Sequence, residues 1–339
     1  LSKIALIGDT HFRGLINEDL YERKFQLFKD VCKYCKDNNV NEVYHLGDVF
    51  DRINPLSFEL KMLSEVFIAY DVNIKLLIGN HDLGRDKKEH SLGWLEVLQD
   101  YMFCIEMYTN FIDLGKIVLI PFADSISIED YLLQIKNKED KYVIGHFGVT
   151  GVRTYNDVEL HEDLVNIDCL QDFRKVFLGH VHYRQLLANV QFIGSLYPIN
   201  FGETDSKGFT ILDIDTGEEE FIILDRFRYK QYKFNLKNMI DIDSIEVEEG
   251  DLVKIQLEGY EKEIKLLSIS DIRQSLISKG AIDVKFQIQV VKNREIHNSN
   301  MVIGKSNASL LSHYLDNINE LGNKDLLYNE GIQIMKECR

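Results

Sequence analysis

An α/β fold with a smaller α+β unit behind it follows from three features of this 339-residue sequence. Short apolar runs alternate with windows of helical periodicity through the first half. After Val176 the helical windows thin out and strands follow one another. A second strand–helix–strand alternation then begins past residue 225. Apolar runs of about four to eight residues between helical windows mean a sheet covered by helices.

Lys3–Gly8 is the first apolar run, and Asp19–Asp37 has helical spacing. Glu42–Leu46 is extended, Ser57–Tyr70 helical and Ile74–Ile78 extended again. A helix is expected around Leu92–Asp100, with strands near Lys116–Pro121 and Tyr142–Ile144. Val176–Leu178, Gln191–Ile193, Phe209–Ile214 and Glu220–Leu224 read as further strands. Asp215-Thr216-Gly217 supplies a hairpin turn between the last two. Arg226–Asn235 alternates basic and aromatic residues with no acid among them. It reads either as a surface that tracks a polyanionic backbone or as a half-buried edge strand with solvated cations. An acidic linker, Asp241–Asp251, precedes a strand (Leu252–Leu257), a helix (Ser268–Ser278) and a strand (Asp283–Val291). Beyond a polar stretch, Leu310, Leu311, Tyr314, Leu315 and Ile318 form the stripe of an amphipathic helix, and Gly322-Asn323 separates it from a second one. Domains of 1–225, 226–300 and 301–339 are therefore expected, which suits a length of about two domains and an appendage.

An apolar fraction of 45% with 28% charged residues and only 3 prolines excludes a disordered chain. No run reaches the ~18 apolar residues of a membrane span, and residues 1–30 lack a signal-peptide pattern, so a cytoplasmic protein is expected. Five scattered cysteines read as reduced thiols. Cys32 and Cys35 share a helical window, which favours helix packing over half a zinc site. The net charge of −16 lies wholly within residues 1–225, since residues 226–339 carry 17 basic and 17 acidic side chains. Such a field repels nucleic acid unless cations or a partner correct it.

Five clusters each follow an apolar run, where a strand would end. They are Asp9-Thr10-His11, Gly47-Asp48-Val49-Phe50-Asp51, Gly79-Asn80-His81-Asp82, Gly145-His146 and Gly179-His180-Val181-His182. Ligands of open α/β sheets collect outside the carboxyl ends of strands, so these loops are expected to converge. Glycine ahead of the key residue recurs in four of them, which permits a sharp turn. His180 and His182, read as part of a strand, would share one face. Asp9, His11, Asp48, Asn80, His146, His180 and His182 form an oxygen and nitrogen donor set without thiolate. Such a set suits manganese, iron or magnesium. Seven donors exceed one ion's needs, so two ions sharing a carboxylate fit better, with Asp48 as the bridge.

In this order the five motifs resemble the calcineurin-like metallophosphoesterase superfamily over about residues 3–195. Gly-Asp-Val-Phe-Asp followed by Asn54-Pro55, and Gly-Asn-His-Asp-Leu at 79–83, are similar to its DNA nuclease branch. That branch includes the bacterial SbcD subunit, the eukaryotic meiotic-recombination nucleases and the recombination nucleases of large phages. The resemblance implies a four-layer β-sandwich flanked by helices, a small capping domain that contacts DNA, and C-terminal helices that bind a partner. It implies two Mn2+ ions, with Mg2+ or Fe2+ as alternatives. One ion would lie on Asp9, His11, Asp48 and His182, the other on Asp48, Asn80, His146 and His180. His81 would act on the leaving oxygen, with Asp82 orienting it. The implied activity is exonuclease, and possible endonuclease, cleavage at double-stranded DNA ends in recombination, repair or replication. The implied partners are an SbcC-like coiled-coil ABC ATPase and a second copy of the chain, in the host cytoplasm if a phage encodes it. Some members carry His where Asp51 stands here. Asp48-x-x-Asp51-Arg52 also resembles serine/threonine phosphatases, although Ile53 and Asp82 depart from their pattern. A phosphomonoesterase is thus the alternative enzyme, and a non-enzymatic regulator of the ATPase the alternative outside enzymes.

Overall fold

In the computed structural model, β1 (Lys3–Ile7), β2 (Glu42–His45), β3 (Asn73–Leu77) and β4 (Ile105–Tyr108) lie side by side in parallel. β11 (Gly208–Asp213) and β12 (Glu219–Ile223) continue this sheet from β1 as an antiparallel hairpin. The second sheet has the order β5-β6-β7-β8-β10-β9. Its parallel centre is β6 (Ile117–Ile120), β7 (Tyr142–Gly145), β8 (Lys175–Leu178) and β10 (Val190–Phe192). β5 (Ile112–Asp113) and β9 (Gln185–Leu187) form its antiparallel edges. The structure describes residues 2–13, 18–70, 72–84, 89–95, 105–155, 157–161, 163–224, 226–236, 244–291, 327–330 and 333.

Side chains alternate across a strand, and here both faces find apolar cover. Ile4, Leu6, Tyr44 and Leu77 of the first sheet meet Leu119, Ile144 and Phe177 of the second in one buried cluster. Ala5, Ile7, Val43 and Ile74 point the other way, into a core shared with α1 (Glu18–Asp37) and α2 (Ser57–Ala69). Val118, Ile120, Val143 and Val176 do the same for the second sheet, against Ile128 and Leu132 of α3 (Ser125–Gln134). The result is helix, sheet, sheet, helix, as expected. Burying each Leu, Ile or Val of this kind contributes about 1.5–3 kcal/mol.

α1 forms because Tyr21, Phe25, Phe28, Val31, Cys32 and Cys35 recur at helical spacing and bury one stripe. Both cysteines are buried free thiols whose titration burial pushes up, so they pack rather than ligate. α3 was not foreseen, since β-branched Ile126 and Ile128 weaken its helical signal. Asp124 caps it by accepting from the Ser127 N–H at 2.9 Å. β4, β5 and β9 have four, two and three residues, too few for periodicity to register. Of the helix expected at 92–100, residues 93–95 are helical and 96–100 lie outside the described residues.

A third, parallel sheet runs β13 (Tyr229–Asn235), β14 (Leu252–Gly259), β15 (Asp283–Val290). α4 (Glu261–Lys265) and α5 (Ile269–Ser278) link β14 to β15. Ile272 and Leu276 of α5 pack on Val253, Ile255 and Val284. The opposite face is polar, with Gln231, Lys254 and Lys285 in one row across the strands. The basic-aromatic segment is the edge strand of this sheet, with alternating half-buried and exposed residues. Its cations are largely engaged: Arg226 bonds Asp30, Arg228 bonds Glu248, and Lys230 lies 2.9 Å from Asp251. Residues 1–290 form one compact unit and 291–339 a second. In the second, 327–330 and 333 are helical, and the expected stripe at 310–318 lies outside the described residues. Among the described residues no helix is long and apolar enough to cross a membrane.

Candidate metal centre

β1, β2, β3, β7 and β8 end on the same side of the sandwich, and each releases one of the five clusters. The loops are stitched together through backbone. Thr10 and His11 donate their N–H groups to the Asp48 carbonyl at 3.1 and 3.0 Å, and Gly179 donates to the Gly145 carbonyl at 3.0 Å. His11, Asp48 and His180 have φ of 41°, 54° and 76°. The left-handed region costs a non-glycine residue on the order of 1–3 kcal/mol and persists where the surroundings over-determine it. Three of the seven predicted ligands carry that strain.

The glycines do more than turn the chain. Gly47 does sit at a φ of 98°, but Gly79 and Gly179 do not have positive φ. They are needed for space. A Cβ at Gly79 would stand 2.1 Å from Asp48 Oδ1, and one at Gly179 2.6 Å from the Leu46 carbonyl.

All seven predicted donors come together, in two overlapping groups. In the first, His11 Nε2 and His182 Nε2 are 3.1 Å apart, and Asp9 Oδ2 lies 3.8 and 3.6 Å from them. In the second, Asn80 Oδ1 lies 3.0 Å from His146 Nε2 and 2.9 Å from His180 Nδ1. Asp48 joins them, its Oδ2 lying 3.5 Å from His11 Nε2 and 3.3 Å from His146 Nε2. Neighbouring ligands about 2.1 Å from a shared cation sit roughly 3.0–3.5 Å apart, close to these spacings.

The electrostatics suit a cation. Asp9 and Asp48 are buried, and Asp9 Oδ2 has no hydrogen-bond partner among the described residues. Burial pushes both carboxyls up, but the surrounding imidazoles outweigh it and hold them below the usual range. Burial likewise pushes His11 and His146 down. Asp51, Asp9 and Asp48 overcome this at His11, Asp48 chiefly at His146, and the two rise to about 10 and about 9. His180 falls to about 4 because burial dominates. The carboxylates thus demand positive charge and take it from protons when nothing else supplies it. A divalent cation meets the same demand.

Asp82 is not where the resemblance put it. It is buried, and its Oδ2 accepts from the Gly79 and Val49 N–H groups at 3.0 and 3.2 Å. Its Oδ1 accepts from the Phe50 N–H at 3.2 Å and the Ser91 hydroxyl at 2.7 Å. It therefore clamps two ligand loops, and its oxygens form no hydrogen bond or ion pair with the His81 ring among the described residues. The carboxylate beside that ring is Asp51, 3.7 Å from His81 Nδ1 and 3.6 Å from His11 Nδ1. His81 itself is 46% exposed, and its N–H donates to Asp48 Oδ1 at 2.8 Å. His180 and His182 do not share a strand face. They lie in the loop after β8, where the left-handed turn at His180 sends them to different groups.

Two supporting residues escaped the sequence reading. Glu203, buried, lies 3.1 Å from His182 Nδ1 and 3.0 Å from Lys207 Nζ. His45, wholly buried at the end of β2, reaches the Thr10 hydroxyl at 3.0 Å, and burial lowers it to about 4. His45 was visible in principle, two residues ahead of Gly47. No local pattern marks Glu203.

The family model for calcineurin-like phosphoesterases matches residues 2–184, just over half of the chain. Exonuclease subunit 1 of Enterobacteria phage T4 is 27% identical over 250 residues, 70% of this chain and 73% of that protein. The DNA double-strand break repair protein Mre11 of Thermoplasma acidophilum is 22% identical over 271 residues, 70% of this chain and 68% of that protein. Among solved structures, a dimetal phosphatase from Danio rerio aligns with a TM-score of 0.39 and 14% identity, covering 62% of this chain and 91% of that one.

Proposed function

Because this chain belongs to the calcineurin-like phosphoesterase family, we propose that it is a metal-dependent DNA nuclease that hydrolyses phosphodiester bonds at duplex ends. The observation that carries the two-ion part is Asp48 Oδ2, placed 3.5 and 3.3 Å from imidazoles of two separate donor groups. The nuclease part rests on the two relatives, an exonuclease subunit and a DNA break repair protein, each matching 70% of the chain.

Asp9, His11, Asp48 and His182 would hold one ion, and Asp48, Asn80, His146 and His180 the other. The nitrogen and oxygen donors favour Mn2+ over softer ions. When bound, the ions would supply Lewis acidity toward the phosphoryl oxygens and the attacking water. His81, half-exposed with its ring centroid 4.6 Å from that of His11, donates a proton to the leaving oxygen. Asp51 steadies the ring from 3.7 Å. Glu203 fixes His182 through its other nitrogen, which orients the ligating one. The alternative monoesterase reading would need Arg52 to grip phosphate. Here Arg52 Nη2 donates to both oxygens of buried Glu59, at 2.8 and 2.9 Å, which favours the diesterase.

The acidic field of residues 1–225 implies weak intrinsic grip on DNA, so we assign most of it to an SbcC-like ATPase bound through residues 301–339, with a homodimer as the working form. Hydrolysis of end-labelled duplex DNA with Mn2+, Mg2+ or EDTA tests the reading, beside bis-p-nitrophenyl phosphate and its monoester. Mn2+-dependent DNA cleavage is expected. Monoester turnover without cleavage of DNA or diester would contradict it.

A further inference from the structure

A cleft of about 190 Å³ opens beside the His11 edge of the metal centre, between α1 and the first row of the third sheet. His11, Arg13, Lys24, Asp51, Asp283 and Lys285 line it. We propose that this cleft binds a second phosphate group of the nucleic-acid substrate, the one next to the bond that is cut, with Lys24 as its central contact; this rests on the nuclease reading above.

Lys24 carries the argument. It is only 7% exposed, yet its ammonium makes no hydrogen bond or ion pair among the described residues. The Tyr197 ring centroid lies 4.9 Å from the nitrogen, and the Asp51 and Glu203 carboxylates act on its charge only through the field, without a hydrogen bond or ion pair among the described residues. Lysines are almost never buried unpaired, because desolvating the ammonium is costly. Burial lowers it to about 8, so it still carries its charge at neutral pH. The two carboxylates of the cleft are already engaged, Asp51 with Arg13 at 2.8 Å and Asp283 with Arg273 at 3.2 Å. Lys285 lies on the open face of β15 and adds a like charge felt at Lys24. An anion between the two ammonium groups would relieve that repulsion and form charge-assisted hydrogen bonds. The shape also fits, since the cleft shares His11 and Asp51 with the metal centre while Tyr229 and Leu252 wall it off from the rest of the sheet. A single-phosphate diester would leave it empty.

The test compares three thymidine dinucleotides: TpT, pTpT with a 5′-phosphate, and TpTp with a 3′-phosphate. With Mn2+, wild-type protein should cleave one of the two phosphorylated forms about tenfold or more efficiently in kcat/KM than TpT. The preferred form reveals on which side of the scissile bond the cleft lies. Lys24→Met, close in volume, should erase the preference; Lys24→Arg should keep most of it; Lys285→Met, at an exposed position, should reduce it. No wild-type preference, or a preference that survives both Lys24→Met and Lys285→Met, overturns the proposal. If wild type hydrolyses bis-p-nitrophenyl phosphate but cleaves neither the dinucleotides nor end-labelled duplex DNA, the nuclease reading falls and the cleft assignment with it; cleavage of the duplex DNA with no dinucleotide preference overturns the cleft assignment alone.

Discussion

The strand-end loops and the third sheet are both rich in charge, and they handle it in opposite ways. In the loops, Asp9, Asp48 and His146 are buried, three backbones are left-handed, and a carboxylate oxygen has no hydrogen-bond partner among the described residues. Along Arg226–Asn235, which leads into and forms β13, the cations lie nearer the surface, the backbone is ordinary, and Arg226, Arg228 and Lys230 each find an acid. Charge alone does not mark a functional surface. Charge held at a cost, strained or unsatisfied, does. By that measure Lys24 belongs with the loops, although it sits on a helix.

This contrast can be broken at graded points. Asp48→Asn should lower turnover about 10³-fold or more, since both donor groups lose their shared oxygen; steady-state diester hydrolysis measures it. His81→Ala should cost about 10²–10⁴-fold while both ions remain bound, as inductively coupled plasma analysis of the dialysed protein would show. Lys24→Met should raise stability at pH 7 on the order of 2 kcal/mol, because a buried charge is removed. The sign follows from a folded-state value of about 8 against 10.5 for an ordinary lysine. Between those values the unfolded wild-type chain holds more protons, so wild-type stability rises with pH and the variant's advantage closes from pH 8 to 10.5. Urea melts across that window check it. Arg226→Ala is the smallest: its pair with Asp30 is exposed, and its loss should change stability by less than about 1 kcal/mol. A large loss of DNA affinity there would break the contrast and restore the backbone-tracking reading of Arg226–Asn235.

Much of this was legible in the sequence, for physical reasons. Parallel strands covered on both faces read as unbroken apolar runs, so Lys3–Gly8 and Ile74–Ile78 were found nearly to the residue. The ligand clusters stood out because each occupies a strand end and because glycine ahead of it answers to a close approach, as Gly79 does to Asp48. What escaped was set by tertiary contact. Asp82 follows His81 in sequence, but its oxygens turn inward to Gly79, Val49, Phe50 and Ser91. The ring is left to Asp51, which is thirty residues earlier in the chain. Glu203 reaches His182 across 21 residues that include β9 and β10, and no period encodes such a meeting. Lys24 is one of several cations on α1, and only the third sheet beside it, through Tyr229, Leu252, Asp283 and Lys285, encloses it in a cleft.

The most direct test of the central claim, a two-ion centre joined through Asp48, is a manganese titration followed by electron paramagnetic resonance. Two Mn2+ per chain with an exchange-coupled spectrum, and loss of that coupling in Asp48→Asn, is the predicted result. A single uncoupled ion in the wild-type protein, or coupling that survives Asp48→Asn, would contradict it.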